Sequence, residues 1–252
     1  MPSNRLHGKT IVLTGSNKTT SVKQFIEENG GTCAVFPLID IKERQSADDI
    51  EKLVQLNTYD WLIFTSQNAV QAFSEKCQRN KINMQALPCK VASVGAKTTA
   101  LLNKHGLSVH FEPSVFSADV FIQEFPTVSE STQRKLFIRG SLAKSTIYDG
   151  IPNVVEWTVY ETIANETAVQ PLTELVMQRQ RQVIIIFASP SAVAVFNQYI
   201  APIVGWTAIR AAAIGHITAA ALRHLGVDVY VQPATYTMQA VVEEIILLEE
   251  SS

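Results

Sequence analysis

The chain states one pattern twice, and this duplication constrains its fold more than any other feature. Leu62-Ile63-Phe64-Thr65-Ser66-Gln67-Asn68-Ala69-Val70-Gln71-Ala72-Phe73 is answered by Ile185-Ile186-Phe187-Ala188-Ser189-Pro190-Ser191-Ala192-Val193-Ala194-Val195-Phe196, and Phe64 to Phe187 is a shift of 123 residues. Ser93-Val94-Gly95 with Thr98 is answered by Ala213-Ile214-Gly215 with Thr218 at a shift of 120, and the register runs on through Val109/Val229, Pro113/Pro233 and Ser117/Thr237. A weaker echo sets Lys135 to Ser141 against Thr10 to Ser16 at a shift of 125, so each unit opens on a strand and a Gly-Ser turn. A period near 120 residues is far too long for a solenoid and reads as two copies of one domain facing a shared site.

Short β-rich runs alternate with amphipathic helical patterns in both halves, which predicts α/β layers on mostly parallel sheets. Lys9 to Thr14 reads as a first strand and Ser21 to Asn29 as a helix closed by Gly30-Gly31. Tyr59 to Phe64 and Val183 to Phe187 read as matching buried strands, and Val35 to Ile41 and Val155 to Thr162 as two further extended stretches. Gly95 and Gly215 each end a strand and turn the chain into a helix that stops at Gly106 or Gly226. All these loops leave carboxyl ends of strands, the edge at which open α/β sheets bind ligands. A tandem cut near Ser131 and a swapped arrangement, in which the first strand and helix join the C-terminal half, fit the periodicity equally well.

Charge and composition exclude several classes. Among 252 residues, 21 Lys and Arg face 23 Asp and Glu, scattered without a basic stripe, so phosphate-led nucleic-acid binding is disfavoured. No stretch approaches the ~20 apolar residues of a membrane span, and no signal-like segment opens the chain, so a cytoplasmic protein is expected. Cys33, Cys77 and Cys89 have no C-x-x-C spacing, and the five His form no metal-ligand pattern; neither a metal nor any other cofactor is expected. Without G-x-G-x-x-G or G-x4-G-K-[ST] after a strand, a nucleotide site is disfavoured, and the Ser-, Thr- and Asn-bearing loops lack the acidic cluster of a phosphoacceptor module.

Ser66, Ser189, Ser191, Thr98 and Thr218 stand at predicted helix starts, where hydroxyls cap helices whatever the function. Capping and ligand contact can coexist, because a helix N-terminus offers several free amides to a carboxylate. Arg139 could hold a carboxylate bidentately, though a lone Arg after a strand is more often in a salt bridge. Gly95, Gly140 and Gly215 would act through backbone conformation and close approach.

Taken in order, Phe64 to Val70, Ser93-Val94-Gly95 with Thr98, Arg139-Gly140-Ser141, Val159-Tyr160-Glu161-Thr162, Phe187 to Val193, and Ile214-Gly215 with Thr218 to Leu222 resemble the uroporphyrinogen-III synthase family over nearly the whole chain. The resemblance implies two flavodoxin-like parallel-sheet domains joined by a two-stranded β linker. It resolves the domain map as 1–36 plus 165–252 and 45–154, with 37–44 and 155–164 as linker strands. It further implies a cofactor-free enzyme, a monomer, that closes the linear tetrapyrrole hydroxymethylbilane in the cleft between the domains, with a transient contact to the preceding pathway enzyme. Tyr160 matches the family's Tyr in Val-Tyr-x-Thr, and a phenol can donate to a departing hydroxyl. Thr65, Ser66, Asn68, Gly95, Thr98, Arg139, Gly140, Ser141, Ser189, Ser191, Gly215 and Thr218 are the implied substrate-binding positions. Two positions depart from the family pattern: Thr14-Gly15-Ser16-Asn17 lacks the Arg often found after the first strand, and Ile217 stands where relatives can carry Thr. A non-catalytic two-lobed binding protein for a small carboxylate is the alternative of a different class.

Overall fold

The computed structural model describes residues 5–15 and 20–250, so Ser16 and Asn17 of the first loop lie outside the described residues. Among the described residues ten strands are interspersed with helices: β1 (Thr10–Leu13), β2 (Thr32–Val35), β3 (Ile39–Glu43), β4 (Trp61–Phe64), β5 (Lys90–Ser93), β6 (Lys135–Gly140), β7 (Val154–Ala164), β8 (Val183–Phe187), β9 (Arg210–Ala213) and β10 (Val229–Val231). They form two five-stranded sheets within two compact units, Met1–Asp40 with Ile163–Ser252 and Ile41–Thr162.

The sheet of the first unit runs β2-β1-β8-β9-β10 with every pairing parallel. Numbered along its own chain this is the 2-1-3-4-5 order of flavodoxin-like folds. The second sheet runs β3-β7-β6-β4-β5, parallel from β7 to β5, and Phe111 adds an isolated parallel bridge to Ala92 of β5. Once β6 is matched to β1, as the repeat requires, β7-β6-β4-β5 reproduces β2-β1-β8-β9. Each unit therefore combines the opening strands of one repeat with the closing strands of the other. The Thr10↔Val183 and Trp61↔Lys135 pairings are the hydrogen-bonded seams between repeats.

The central strands are fully buried because helices cover both faces, which is why β4 and β8 read as unbroken apolar runs. The repeated phenylalanines do the same work twice. Phe64 meets Phe73 edge-on at 5.5 Å between ring centroids, and Phe187 meets Phe196 at the same separation. The predicted stretch Val35 to Ile41 is interrupted, with β2 ending at Val35 and β3 starting at Ile39. Pro37 lies in the gap, and having no N–H it cannot continue a ladder. The segments expected as linkers contain β3 and β7, which are hydrogen-bonded neighbours in the second sheet.

One buried cation ties β3 to the helix Gln67–Arg79. Lys76, only 1% exposed, lies 2.9 Å from Glu43 and 2.5 Å from Asp49 and donates to the Arg44 carbonyl at 2.6 Å. Trp157 Nε1 donates to the other Asp49 oxygen at 2.8 Å. All three ammonium donors have acceptors, the condition under which a buried lysine is tolerated.

Candidate active site

In a 2-1-3-4-5 sheet the chain leaves two adjacent strands in opposite directions between positions 1 and 3, and the crevice at their carboxyl ends is the usual ligand site. In the second unit those strands are β6 and β4. The loops that leave them are Arg139-Gly140-Ser141 and Phe64-Thr65-Ser66, both picked out in the sequence.

Ser66 has extended backbone, and its Oγ accepts the Ala69 amide at 3.1 Å, capping the helix Gln67–Arg79. The same oxygen lies 3.1 Å from the Tyr160 hydroxyl. Tyr160 comes from β7, paired with Gly140 across a bulge in the β6–β7 ladder. Its ring occupies the space a side chain at Gly140 would need: a Cβ there would stand 2.3 Å from Cζ and 2.6 Å from the hydroxyl. Gly140 is thus required by close approach. Ser141 fastens the loop, donating its amide to the Tyr160 carbonyl at 3.0 Å and accepting the Thr162 amide on Oγ at 3.3 Å. The structure therefore brings Ser66, Gly140, Ser141 and Tyr160 together at one strand edge. Thr65 lies beside them, lining a cavity of about 280 Å³ with Ala118, Asp119, Ala143 and Lys144.

Arg139 is committed elsewhere. Its guanidinium binds Glu156 and the Ala143 carbonyl, with Nε donating to the Gly140 carbonyl at 3.3 Å, and its side chain is only 11% exposed. Through these contacts it braces the loop between β6 and residue 143. Asn68 is exposed on the first turn of its helix.

Two further loops form a pair by symmetry. Gly95, at φ 110°, precedes the helix Ala96–Lys104, and Gly215 precedes the helix His216–His224; neither helix has a side-chain cap. Thr98 and Thr218, at the third position of each, are 4% and 3% exposed, and neither hydroxyl has a hydrogen-bond partner among the described residues. Uncapped amides with an unpartnered hydroxyl beside them suit an oxyanion such as a carboxylate. In the first unit, Ser189 caps its own helix through the Ala192 amide at 3.2 Å and has no tyrosine partner among the described residues, and Ser191 is half-buried in the first turn of that helix.

Two features escaped the sequence reading. Lys144 brings a cation to the cavity beside Thr65, and a single Lys in a loop carries no pattern. The contact between Ser66 and Tyr160 spans 94 residues, beyond any local signal. A larger cavity, about 480 Å³ beside Phe125, Ser129 and Lys135, lies at the amino end of β6, away from every matched loop. Among the described residues no group of His, Cys, Asp and Glu could hold a metal ion, and no helix is long and apolar enough to cross a membrane.

Fold and loops together define an α/β protein built of two parallel-sheet units with the matched loops at the carboxyl strand ends. Residues 20–243 match the family model described as uroporphyrinogen-III synthase HemD, and the chain belongs to that family. It is 27% identical to the uroporphyrinogen-III synthase of Synechococcus elongatus over 94% of each chain. Against the enzyme of Chlorobaculum parvum it is again 27% identical, over 89% of this chain and 93% of that one. Its fold resembles solved uroporphyrinogen III synthases of Thermus thermophilus, with TM-score 0.69 at 16% identity over 97% of this chain and all of that one, and Helicobacter pylori, with TM-score 0.65 at 18% over 95% and 99%.

Proposed function

We propose that the chain cyclises hydroxymethylbilane to uroporphyrinogen III, a carbon–oxygen lyase reaction, with Tyr160 as the proton donor to the departing hydroxyl. The observation that carries the residue assignment is the Tyr160 hydroxyl 3.1 Å from Ser66 Oγ at the strand edge where α/β sheets take ligands. Lone-pair electrons of the terminal pyrrole nitrogen expel the hydroxyl, and the phenol proton completes a water molecule. Ser66 already accepts the Ala69 amide, so its own proton is free to stabilise the phenolate oxygen that results. The azafulvene cation is attacked by the substituted carbon of the last pyrrole. One carbon–carbon bond forms, and the spiro intermediate fragments and recloses with that ring inverted. A carbon-bound proton then leaves to restore aromaticity and returns the charge to balance.

The electronic push belongs to the pyrroles, so the chain contributes chiefly by holding one folded conformer. The uncapped helix starts after Gly95 and Gly215, with Thr98 and Thr218, support binding of substrate carboxylates, and the loop braced by Arg139 keeps Gly140 and Ser141 against Tyr160. Thr65, Asn68, Ser189 and Ser191 complete the proposed lining. A cytoplasmic monomer making transient contact with the preceding enzyme belongs to the same reading. Free thiols at Cys33, Cys77 and Cys89 support a reducing compartment.

The test is to add freshly prepared hydroxymethylbilane to the purified protein and separate the porphyrin isomers after oxidation. Type III product formed faster than spontaneous closure is expected. Type I ring alone, at the rate seen without protein, would sink the assignment.

A further inference from the structure

The segment entering the last helix of each repeat is built alike. Pro113-Ser114-Val115-Phe116-Ser117 and Pro233-Ala234-Thr235-Tyr236-Thr237 both begin on a buried proline. Ser117 donates its amide to the Val115 carbonyl at 2.7 Å and Thr237 to the Thr235 carbonyl at 2.8 Å, so Phe116 and Tyr236 are the central residues of two tight three-residue turns. Ser117 and Thr237 then cap the following helices through the Val120 and Ala240 amides, both at 3.1 Å. Each turn follows a strand or bridge parallel to its sheet, so both aromatics stand at the carboxyl edge that carries the loops described above.

They are 57% and 54% exposed there, although rings of this size are ordinarily covered. Tyr236 is nonetheless held in place. A Cβ on Gly215 would meet its ring at 3.0 Å, His216 Nδ1 lies 2.9 Å from its hydroxyl, and the two rings sit 5.3 Å apart. An exposed ring fixed from behind by a glycine and an imidazole is preorganised for a flat partner.

We infer that Tyr236 is a pyrrole-contacting residue of the tetrapyrrole site, with His216 positioning it, and that Phe116 is its counterpart at the matching turn of the other repeat. The inference rests on the function proposed above. Its chemistry is complementary to the carboxylate loops: amides and hydroxyls take the acidic side arms, and an exposed ring takes an aromatic face.

The test measures KM, kcat, isomer ratio and Tm for wild type, Tyr236→Ser, Tyr236→Phe, Phe116→Ser and His216→Ala. Both Ser variants are expected to raise KM about tenfold, the usual scale of one lost stacking platform, with Tm unchanged because the rings are exposed. Tyr236→Phe keeps the ring and should stay near wild type, with His216→Ala in between. Wild-type KM and isomer ratio in both Ser variants would overturn the inference while leaving the proposed function standing, as would an effect on Tm alone. A wild-type chain that forms no type III product would remove both. If one Ser variant fails to fold, the other, in the opposite unit, decides.

Discussion

Tyr160→Phe separates chemistry from packing at the one place where the proposed reaction touches a named hydroxyl. The ring remains over Gly140, so what disappears is a single hydrogen bond of 3.1 Å to Ser66, whose oxygen still accepts the Ala69 amide. Losing one such bond, with its partner still satisfied, costs about 1 kcal/mol. For a chain of this length that lowers Tm by ~2–4 °C. A general acid contributes on the order of 10² in rate, or ~2.7 kcal/mol of barrier. The barrier effect therefore exceeds the stability effect more than twofold. Single-turnover time courses at saturating hydroxymethylbilane, followed by isomer separation, should show kcat down about a hundredfold with the type III preference retained, since shape selects the conformer. A normally folded variant with kcat within about twofold of wild type would reduce Tyr160 to a packing residue.

Gly140→Ala should reach the same end from the opposite side. Its Cβ would force the phenol away from Ser66, so kcat should fall by the order seen for Tyr160→Phe, and the double variant should be no slower than either single one. Thr218→Val should raise KM with little change in Tm, because its hydroxyl makes no hydrogen bond with the described residues that folding would lose; a fall in Tm at constant KM would make it structural. Lys76→Met should destabilise the chain by about 3 kcal/mol in urea titrations, since it leaves Asp49 and Glu43 without their buried cation. The Glu43 carboxyl lies below its ordinary range because Arg79 hydrogen-bonds it, helped by Lys76 against the opposing effect of burial; at Asp49, burial pushes upward but hydrogen bonds from Lys76, Trp157 and Ser46 outweigh it. Between the folded and unfolded pKa values the unfolded chain binds more protons, so this stability is present above about pH 4 and lost as pH falls through the folded values, which urea midpoints at descending pH would reveal. Burial pushes the Cys33 and Cys89 thiols up to about 11 and Cys77 up to about 12, so iodoacetamide near neutral pH should leave the native protein unmodified by mass spectrometry and label it on unfolding.

What the sequence disclosed followed from local periodicity and turn chemistry. Phe64, Phe73, Phe187 and Phe196 share one spacing, and the structure gives them one packing arrangement. Gly95, Gly140 and Gly215 marked loops because only small residues suit those turns. The assignment of strands to units was not legible from periodicity, because β1 buries the same faces in either arrangement; the choice lies in pairings such as Thr10 with Val183. Arg139 shows the same limit at a single residue. Its partner Glu156 comes from the neighbouring strand, diagonal to it in the ladder where Arg139 faces Thr158, and neither strand's own alternation records which strand it lies beside.

The duplication also explains why chemistry is proposed for one unit rather than both. Ser66 and Ser189 are equivalent caps, with matching backbone and bonds of 3.1 and 3.2 Å to the amide three residues on. Gly140 and Gly15 are equivalent as well, yet a Cβ on Gly140 would strike Tyr160, whereas one on Gly15 would meet, among the described residues, Ala188 and Met238 at 3.3 Å. The strand beside β1 ends at Val35 and runs into Phe36-Pro37, which carries no hydroxyl. A helix cap needs only its own turn, so both copies retain one. A proton donor needs a neighbouring strand that continues past the cap, and β7 does this by running eleven residues through Tyr160 to Ala164, whereas β2 stops after four. Strand length, more than loop sequence, is what separates the unit proposed to protonate the leaving group from the unit proposed only to bind.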